Sequence, residues 1–343
     1  MSKRVSLKDI AEKVGVSIAL VSYVMNGQEK EKRVGADVVE RIREVARELN
    51  YKPNQIAQSL RTGSTKTIGL IVADISNPYF GNMARVIEDE ALKHGYTVIF
   101  GSADEDLNKS ASLVDTLINR QVDGFIIAPA EGTESQIKAI QEKKTPLVLI
   151  DRYFPEMPTN YVVLNNFDAS YDAISHLIEK GYRKIGMIAY QSSLIHMQER
   201  IRGYKEAMTE NNPENEIRVE EVRYDHIDSD IEKAMNRLMD GKNKIDALFF
   251  ATNALTISGL YWIKKLNLKI PEELAIIGFD GNAAFDFFCT PLTYIEQPIE
   301  GMGIEAVRVL VEQIDGSNEI ANIKLRHTLI KRQSTMQPHF LTE

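Results

Sequence analysis

From Thr67 onward the chain alternates short, wholly apolar runs with helix-length amphipathic stretches, and no other feature restricts its fold as strongly. The runs are "TIGLIVA", "YTVIFG", "DGFIIAP" and "PLVLID" in the first half, then "KIGMIAY", "DALFFAT" and "LAIIGFDG" in the second. Strands with no polar alternate positions are buried on both faces, and helices between them supply the cover when the sheet is parallel. Two such series predict two similar α/β lobes. Open α/β sheets bind ligands beyond the carboxyl ends of their strands, so facing lobes would enclose a cleft lined by those loops. Candidate cleft residues are then the polar strand ends: Asp74, Ser76, Asn77, Asp151, Arg152, Asn253, Asp280, Gly281 and Asn282.

The first fifty residues are of another kind. Ser6 and Asp9 have capping-box spacing and open a helix expected to bury Leu7, Ile10, Ala11 and Val14. Gly15 ends it, since the reversal calls for a residue tolerant of positive φ. Ser17 can cap a second helix whose apolar stripe is Leu20, Val21 and Val24, which leaves Ile18, Ala19, Ser22 and Tyr23 on the outward face. A third helix is expected from about Asp37 to Leu49, with Val38, Ile42, Val45, Ala46 and Leu49 on one side. Three short helices with a glycine turn between the first two describe a helix-turn-helix, whose second helix can enter a DNA major groove. A three-helix bundle that docks a protein partner has the same pattern.

Charge separates the two parts. Net charge is −8 for the whole chain, but residues 1–63 carry 12 Lys/Arg against 8 Asp/Glu, and the rest carries 29 against 41. A basic head on an acidic body is the asymmetry expected when only the head meets nucleic acid. Between them, "NYKPNQIAQSLRTGSTKT" offers about two helical turns from Gln55 to Arg61, too short to be stable alone in water.

The segments "SLKDIAEKVGVSIALVSYVMNG" and "RIREVARELNYKPNQIAQSLRTGSTKTIGLIV" resemble the LacI/GalR family of bacterial transcriptional regulators, and the resemblance extends over essentially the whole chain. It implies an N-terminal all-α helix-turn-helix head (1–50), a hinge helix and linker (51–66), a two-lobed α/β body similar to periplasmic sugar-binding proteins (67–336), and a tail (337–343). It also implies DNA contacts by Ser6, Ser17, Ile18, Ala19, Ser22, Tyr23, Asn26 and Asn54, with hinge residues Ala57 and Leu60 in the minor groove. A leucine there would wedge an easily deformed base step. The family usually has Thr where this chain has Leu20 and Arg where it has Tyr23, and the loop "GQEKEKRVGAD" is longer and more charged than usual. Tyr23 cannot make the bidentate guanine contact that Arg makes, whereas Ile18 and Ala19 suit thymine methyls. A·T-richer half-sites are the expectation.

In the body the resemblance places Tyr79 and Phe80 of "DISNPYF", Asp151 of "LIDR", Arg200 of "ERIRGYKEAM", Asp280 of "GFDG" and Gln297 of "YIEQP" around an effector, a sugar or sugar derivative. His196 and His226 stand where family members vary with their ligand, and the family's Asn-Asp pair appears as Asn253-Ala254. The implied protein is a homodimeric repressor on a palindromic operator.

Other chemistries find little footing. "GMGIEA" (301–306) imitates a dinucleotide fingerprint but follows Gln-Pro and lacks a ribose acid, so it reads as a helix start with glycines for helix–sheet packing. There is no P-loop, HExxH or GxSxG, and the six histidines lack metal-ligand spacing, so no catalysis, cofactor or metal is expected. Cys289 is the single cysteine, no run approaches the ~20 apolar residues of a membrane span, and "MSKRVSLKDI" has no apolar stretch behind its charge. These point to a soluble cytoplasmic protein. A sugar-binding transport receptor and a sugar-converting enzyme with a regulatory head are the alternatives.

Overall fold

A computed structural model describes residues 5–51, 63–211, 213–214, 216–241 and 244–336, as two units divided between Thr65 and Lys66. The hinge residues Asn54, Ala57 and Leu60 lie outside the described residues.

The head is three helices: α1 (Leu7–Val14), α2 (Ile18–Met25) and α3 (Ala36–Glu48). Ser6 and Asp9 form the capping box, with the Ser6 backbone N–H donating to Asp9 at 2.7 Å. Gly15 takes φ +78°. The Ser17 hydroxyl accepts from Leu20 N–H. Ile10, Ala11, Val14, Val21, Val24, Val39, Ile42 and Ala46 make one small core. The third helix starts at Ala36, and its innermost line is Val39, Ile42 and Ala46. Val38, expected there, flanks that line half-buried, as do Val45 and Leu49; Leu7 and Leu20 are likewise half-buried.

The body holds two six-stranded sheets. Lobe one has strand order β11-β5-β4-β3-β1-β2: β1 (Thr67–Val72), β2 (Thr97–Ser102), β3 (Gly124–Ile127), β4 (Leu147–Ile150), β5 (Asn160–Leu164) and β11 (Asn322–Leu325). Lobe two has order β12-β10-β9-β8-β6-β7: β6 (Ile185–Tyr190), β7 (Arg218–Val222), β8 (Ala247–Phe250), β9 (Ala275–Phe279), β10 (Thr293–Glu296) and β12 (Thr328–Ile330). Every pairing is parallel except β12 with β10. Alternate strand residues feed opposite cores: Ile68, Leu70 and Val72 pack on one face of lobe one, Ile71 on the other.

The lobes are not the two halves of the chain. After β5 the chain crosses to lobe two at Asn165–Asn166, returns after β10 at Gln297–Pro298, and crosses again between β11 and β12. Helix α12 (Ile299–Ile314) therefore belongs to lobe one, where Met302, Ala306 and Leu310 join the core with Ile68 and Ile126. The other helices of the body are α4 (Pro78–Lys93), α5 (Leu107–Asn119), α6 (Glu134–Glu142), α7 (Asn166–Glu179), α8 (Ile195–Asn211), α9 (Ile227–Met239), α10 (Asn253–Lys265) and α11 (Ala283–Phe287).

"GMGIEA" falls inside α12, and its glycines serve a different contact from the one expected. A Cβ on Gly303 would lie 2.6 Å from Val86 Cγ1 of α4, so the close approach is helix on helix rather than helix on sheet. Gly301 meets only Leu325, at an ordinary 3.6 Å.

The two lobes touch directly as well as through the crossings. Tyr224 O–H, beyond β7, donates to Asp74 Oδ2 beyond β1 at 2.6 Å. Glu131, beyond β3, accepts from Ser193 N–H at 3.2 Å and from the Ser192 and Ser193 hydroxyls. The neighbouring Leu194 is buried in a lobe-one core cluster beside Leu149 and Phe154.

Candidate effector cleft and nucleic-acid interface

The strand ends of both sheets face a cavity of about 870 Å³. Tyr79, Phe80, Asp151, His196, Arg200, His226, Asn253, Asp280 and Gln297, scattered over more than 200 residues of chain, all line it.

Two aspartates occupy corresponding places. Asp151 follows β4 and Asp280 follows β9, the third strands of their sheets in spatial order, and both adopt left-handed backbone with φ of 67° and 59°. Asp tolerates that region better than most residues, and such turns aim the side chain off the strand end into the cleft. In lobe one, Pro78 opens α4 behind the cap Asn77, which brings Tyr79 and Phe80 into the first turn. Tyr79 O–H donates to Asp151 Oδ1 at 3.1 Å, and its ring meets Phe80 edge to face with centroids 5.0 Å apart. Burial, with Asp151 and Asp280 nearby, raises the Tyr79 phenol well above its ordinary value and keeps it a donor.

Arg200 projects from α8 and is held on three sides. Nε donates to Asn166 Oδ1 at 2.7 Å, Nη1 donates to the Ala251 carbonyl at 2.6 Å, and the guanidinium stacks 3.6 Å from the Phe279 ring centroid. That leaves Nη2 available for a ligand oxygen. Burial lowers its pKa, while Asp280 and Asp151 favour its charge. Asp280 accepts from Gln297 Nε2 at 2.8 Å, and Asn253 Nδ2 donates to the Asp280 carbonyl at 2.7 Å. Desolvation pushes the Asp280 carboxyl up to about 6, against the opposing pull of Arg200 and Gln297. His196 is buried near Arg152 and Arg200; burial first, then those cations, hold it neutral. His226 is half-exposed and paired with Asp225 at 2.6 Å.

The cleft also holds Arg152, a predicted strand-end candidate, and two tyrosines, Tyr190 and Tyr224, that the sequence did not point to. Arg152 forms a two-pronged pair with Glu105 (2.8 and 2.6 Å) and also donates to the Pro129 carbonyl. Tyr190 and Tyr224 lie with ring centroids 5.5 Å apart. Tyr190 closes the run "KIGMIAY", so the strand-end rule could have found it. Tyr224 follows β7, whose charged sequence "RVEEV" gave no apolar signal.

In the head, Ile18 and Ala19 are exposed, while Ser22 and Tyr23 are half-buried. Lys32 Nζ sits 5.8 Å from the Tyr23 ring centroid. Several residues expected at DNA also hold the head together. Ser6 and Ser17 are caps, and Asn26 Nδ2 donates to the Ser22 carbonyl at 2.6 Å. The long loop after α2 is tied down by Val34 N–H to the Glu29 carbonyl and by a Glu29–Arg43 pair at 2.7 Å.

Comparison with known proteins agrees with both parts. Residues 6–54 match the model of bacterial regulatory proteins of the lacI family, and residues 174–335 match that of the periplasmic binding protein-like domain. The chain is 32% identical to the HTH-type transcriptional repressor PurR of Aliivibrio salmonicida over 334 residues, covering 96% of this chain and 98% of that one. A LacI family transcriptional regulator from Enterococcus faecium, solved with bound ribose, matches with a TM-score of 0.69 at 26% identity over 79% of this chain and 98% of that one. The lac repressor dimer bound to operator and the anti-inducer ONPF shares the fold, with a TM-score of 0.85 at 22% identity over 97% and 100%. From head to last strand, then, the chain belongs to the LacI family: a DNA-binding transcriptional regulator with a helix-turn-helix head and a body that receives a small-molecule effector.

Proposed function

We propose that this regulator is a repressor that acts as a homodimer on a palindromic operator in the cytoplasm and is controlled by a sugar or sugar derivative bound between its lobes. The observation that carries the reading is the convergence on one cavity of a guanidinium with a free nitrogen, two carboxylates and aromatic rings. Arg200, Asp280 and Asp151 suit the paired donors and acceptors of ring hydroxyls, and Tyr79 and Phe80 suit a sugar's apolar face. The ribose held by the Enterococcus faecium relative supports that chemistry. The nine cleft residues named from sequence are the proposed effector set.

The proposed division keeps a head at 1–50, a hinge at 51–66, a body at 67–336 and a tail at 337–343. One recognition helix covers too few base pairs for useful specificity, and a two-fold dimer doubles them. Effector binding changes the angle between the lobes, shifts one lobe at the dimer interface, and so favours or disfavours the hinge helices on DNA. Coupling of this kind is typically ~1–3 kcal/mol. The protein acts by binding alone, without catalysis.

The test pairs two titrations of the full-length protein. A thermal-shift screen against sugars, sugar phosphates and nucleobases finds the stabilising class. Gel shifts with genomic fragments, with and without it, should show operator affinity changing by the coupling factor. A screen in which only nucleobases stabilise would replace the sugar, and unchanged DNA affinity would remove the control.

A further inference from the structure

We propose that residues 191–194, "QSSL", form a clasp that shuts the mouth of the cleft by itself, whatever molecule the cleft receives. Three observations carry it.

The first is position. The three chain crossings leave from β5, β10 and β11, which stand at or next to one edge of their sheets. Toward the opposite edge, β3 and β1 of lobe one and β6 and β7 of lobe two have no such link. There the lobes are fastened by side chains alone, where the segment after β6 reaches Glu131 and Tyr224 reaches Asp74. The lobes are thus tied by chain on one side and clasped on the other, at the mouth.

The second is a misplaced leucine. Leu194 follows β6 of lobe two, yet it is only 6% exposed and packs with Ile127, Leu149 and Phe154 in a cluster whose other buried members all come from lobe one. Its segment is fixed to lobe two and cannot stay behind when the lobes part. Gln191 N–H donates to the Val222 carbonyl of β7 at 2.9 Å, Gln198 Nε2 donates to the Ser192 carbonyl, and the Leu194 carbonyl accepts from Met197 N–H as α8 begins. Opening the mouth therefore draws Leu194 out of an apolar socket into water. Its three CH₂-sized groups beyond alanine weight the shut state by roughly fiftyfold.

The third is the polar catch beside that socket. Glu131 stands in a turn set by Gly132 at φ +78° and by the Thr133 hydroxyl, which donates to the Ala130 carbonyl at 2.7 Å. Its carboxylate accepts the Ser193 N–H and both serine hydroxyls, a charge-assisted set that only the shut lobes can make. None of Glu131, Ser192, Ser193 and Leu194 lines the cavity, so the clasp shuts the cleft without touching its occupant. An effector then enters through openings whose frequency the clasp sets.

The experiment uses the full-length protein with no small molecule added, read by small-angle scattering and by hydrogen exchange. Wild-type scattering should fit shut lobes. Leu194→Ala should move the curve toward open lobes and speed exchange at the Ser193 amide, which is bonded to Glu131, by roughly fiftyfold. Glu131→Ala should act in the same direction by about tenfold. Leu194→Met, which keeps the volume of the plug, should match wild type. Near-UV circular dichroism and slow exchange in β8 check that each variant is folded. Wild-type scattering that fits open lobes would overturn the clasp. So would a folded Leu194→Ala with unchanged scattering and unchanged exchange at Ser193. Exchange that quickens throughout β3 and β4 as much as at Ser193 would make Leu194 a support of the lobe-one core, and would overturn the clasp as well.

Discussion

The two lobes of the body repeat one strand order and end their corresponding strands, β4 and β9, in an aspartate with left-handed backbone, yet the two carboxylates live in different company. Asp151 accepts the Tyr79 hydroxyl and has Arg152 Nε at 3.3 Å. Asp280 has a neutral amide, Gln297, as its bonded partner, and feels Arg200 only across space. Topology decides where a side chain stands, and its neighbours decide its charge. Lobe two consequently carries at Asp280 a desolvation cost that Arg200 and Gln297 offset only in part.

Removing Arg200 should break that arrangement most severely. Arg200→Ala deprives Asp280 of its nearest opposite charge and leaves Asn166 and the Ala251 carbonyl without a donor. Loss of one partner from a buried charged network costs ~3–5 kcal/mol, and effector response should vanish as well. Urea unfolding and effector calorimetry measure the two. A variant with wild-type stability and response would mean that Arg200 is a bystander.

Asp280 gives a pH test of the same contrast. Its folded pKa of about 6 exceeds the unfolded value, so the folded state holds the proton more tightly between the two. Stability should therefore fall as pH rises from about 4 to 6, by roughly 3 kcal/mol, and level off above that. Asp280→Asn removes the titration while retaining an oxygen to accept from Gln297. Its stability advantage over wild type should open across that interval. Parallel pH curves for the two proteins would show that Asp280 ionises normally.

A smaller effect tests packing in lobe one. Gly303→Ala brings a methyl to 2.6 Å of Val86 and should cost ~1–3 kcal/mol by forcing α12 away from α4. Gly301→Ala, whose methyl would meet only Leu325 at an ordinary 3.6 Å, should be neutral or slightly stabilising. Equal effects would remove the helix–helix contact as the reason for the glycine.

The smallest expected change concerns the contact that joins the lobes beside the cleft. Tyr224→Phe deletes one hydrogen bond to Asp74, worth ~0.5–1.5 kcal/mol, and should raise the population of open lobes seen by small-angle scattering. Unchanged scattering would assign closure to Glu131, Ser192 and Ser193 instead.

Legibility in the sequence followed the strength of the local signal. The capping box, Gly15 and the seven apolar runs announce their structures: six of the runs are strands buried on both faces, which leaves an unbroken hydrophobic word, while β2 keeps its apolar run at an exposed edge. The strand-end rule and the family resemblance together named fourteen residues that share one cavity; Gly281, named with them, does not line it. Edge and crossing strands were harder to read. β7 shows "RVEEV" and β11 shows "NIKL", since an edge strand is covered less and tolerates charge. Tyr224 was lost with β7. Val39 was missed because Val38 and Val39 stand four and three residues before Ile42, so spacing alone fits either one to its face. Gly303 could not be assigned a neighbour without knowing that α12 returns to the other lobe.

That return has a consequence for synthesis. Strands β1 to β5 leave the ribosome first, but the face of their sheet that binds α12 and the edge that pairs with β11 stay bare until residues 299–325 have been made. Lobe one is therefore finished after all but the last strand of lobe two, and the two mature together near the end of translation. A chain halted midway would display an apolar sheet face, the kind of surface on which chaperones and proteases act. A cell would thus accumulate whole regulators and clear fragments, including fragments that carry an intact DNA-binding head with no effector control attached.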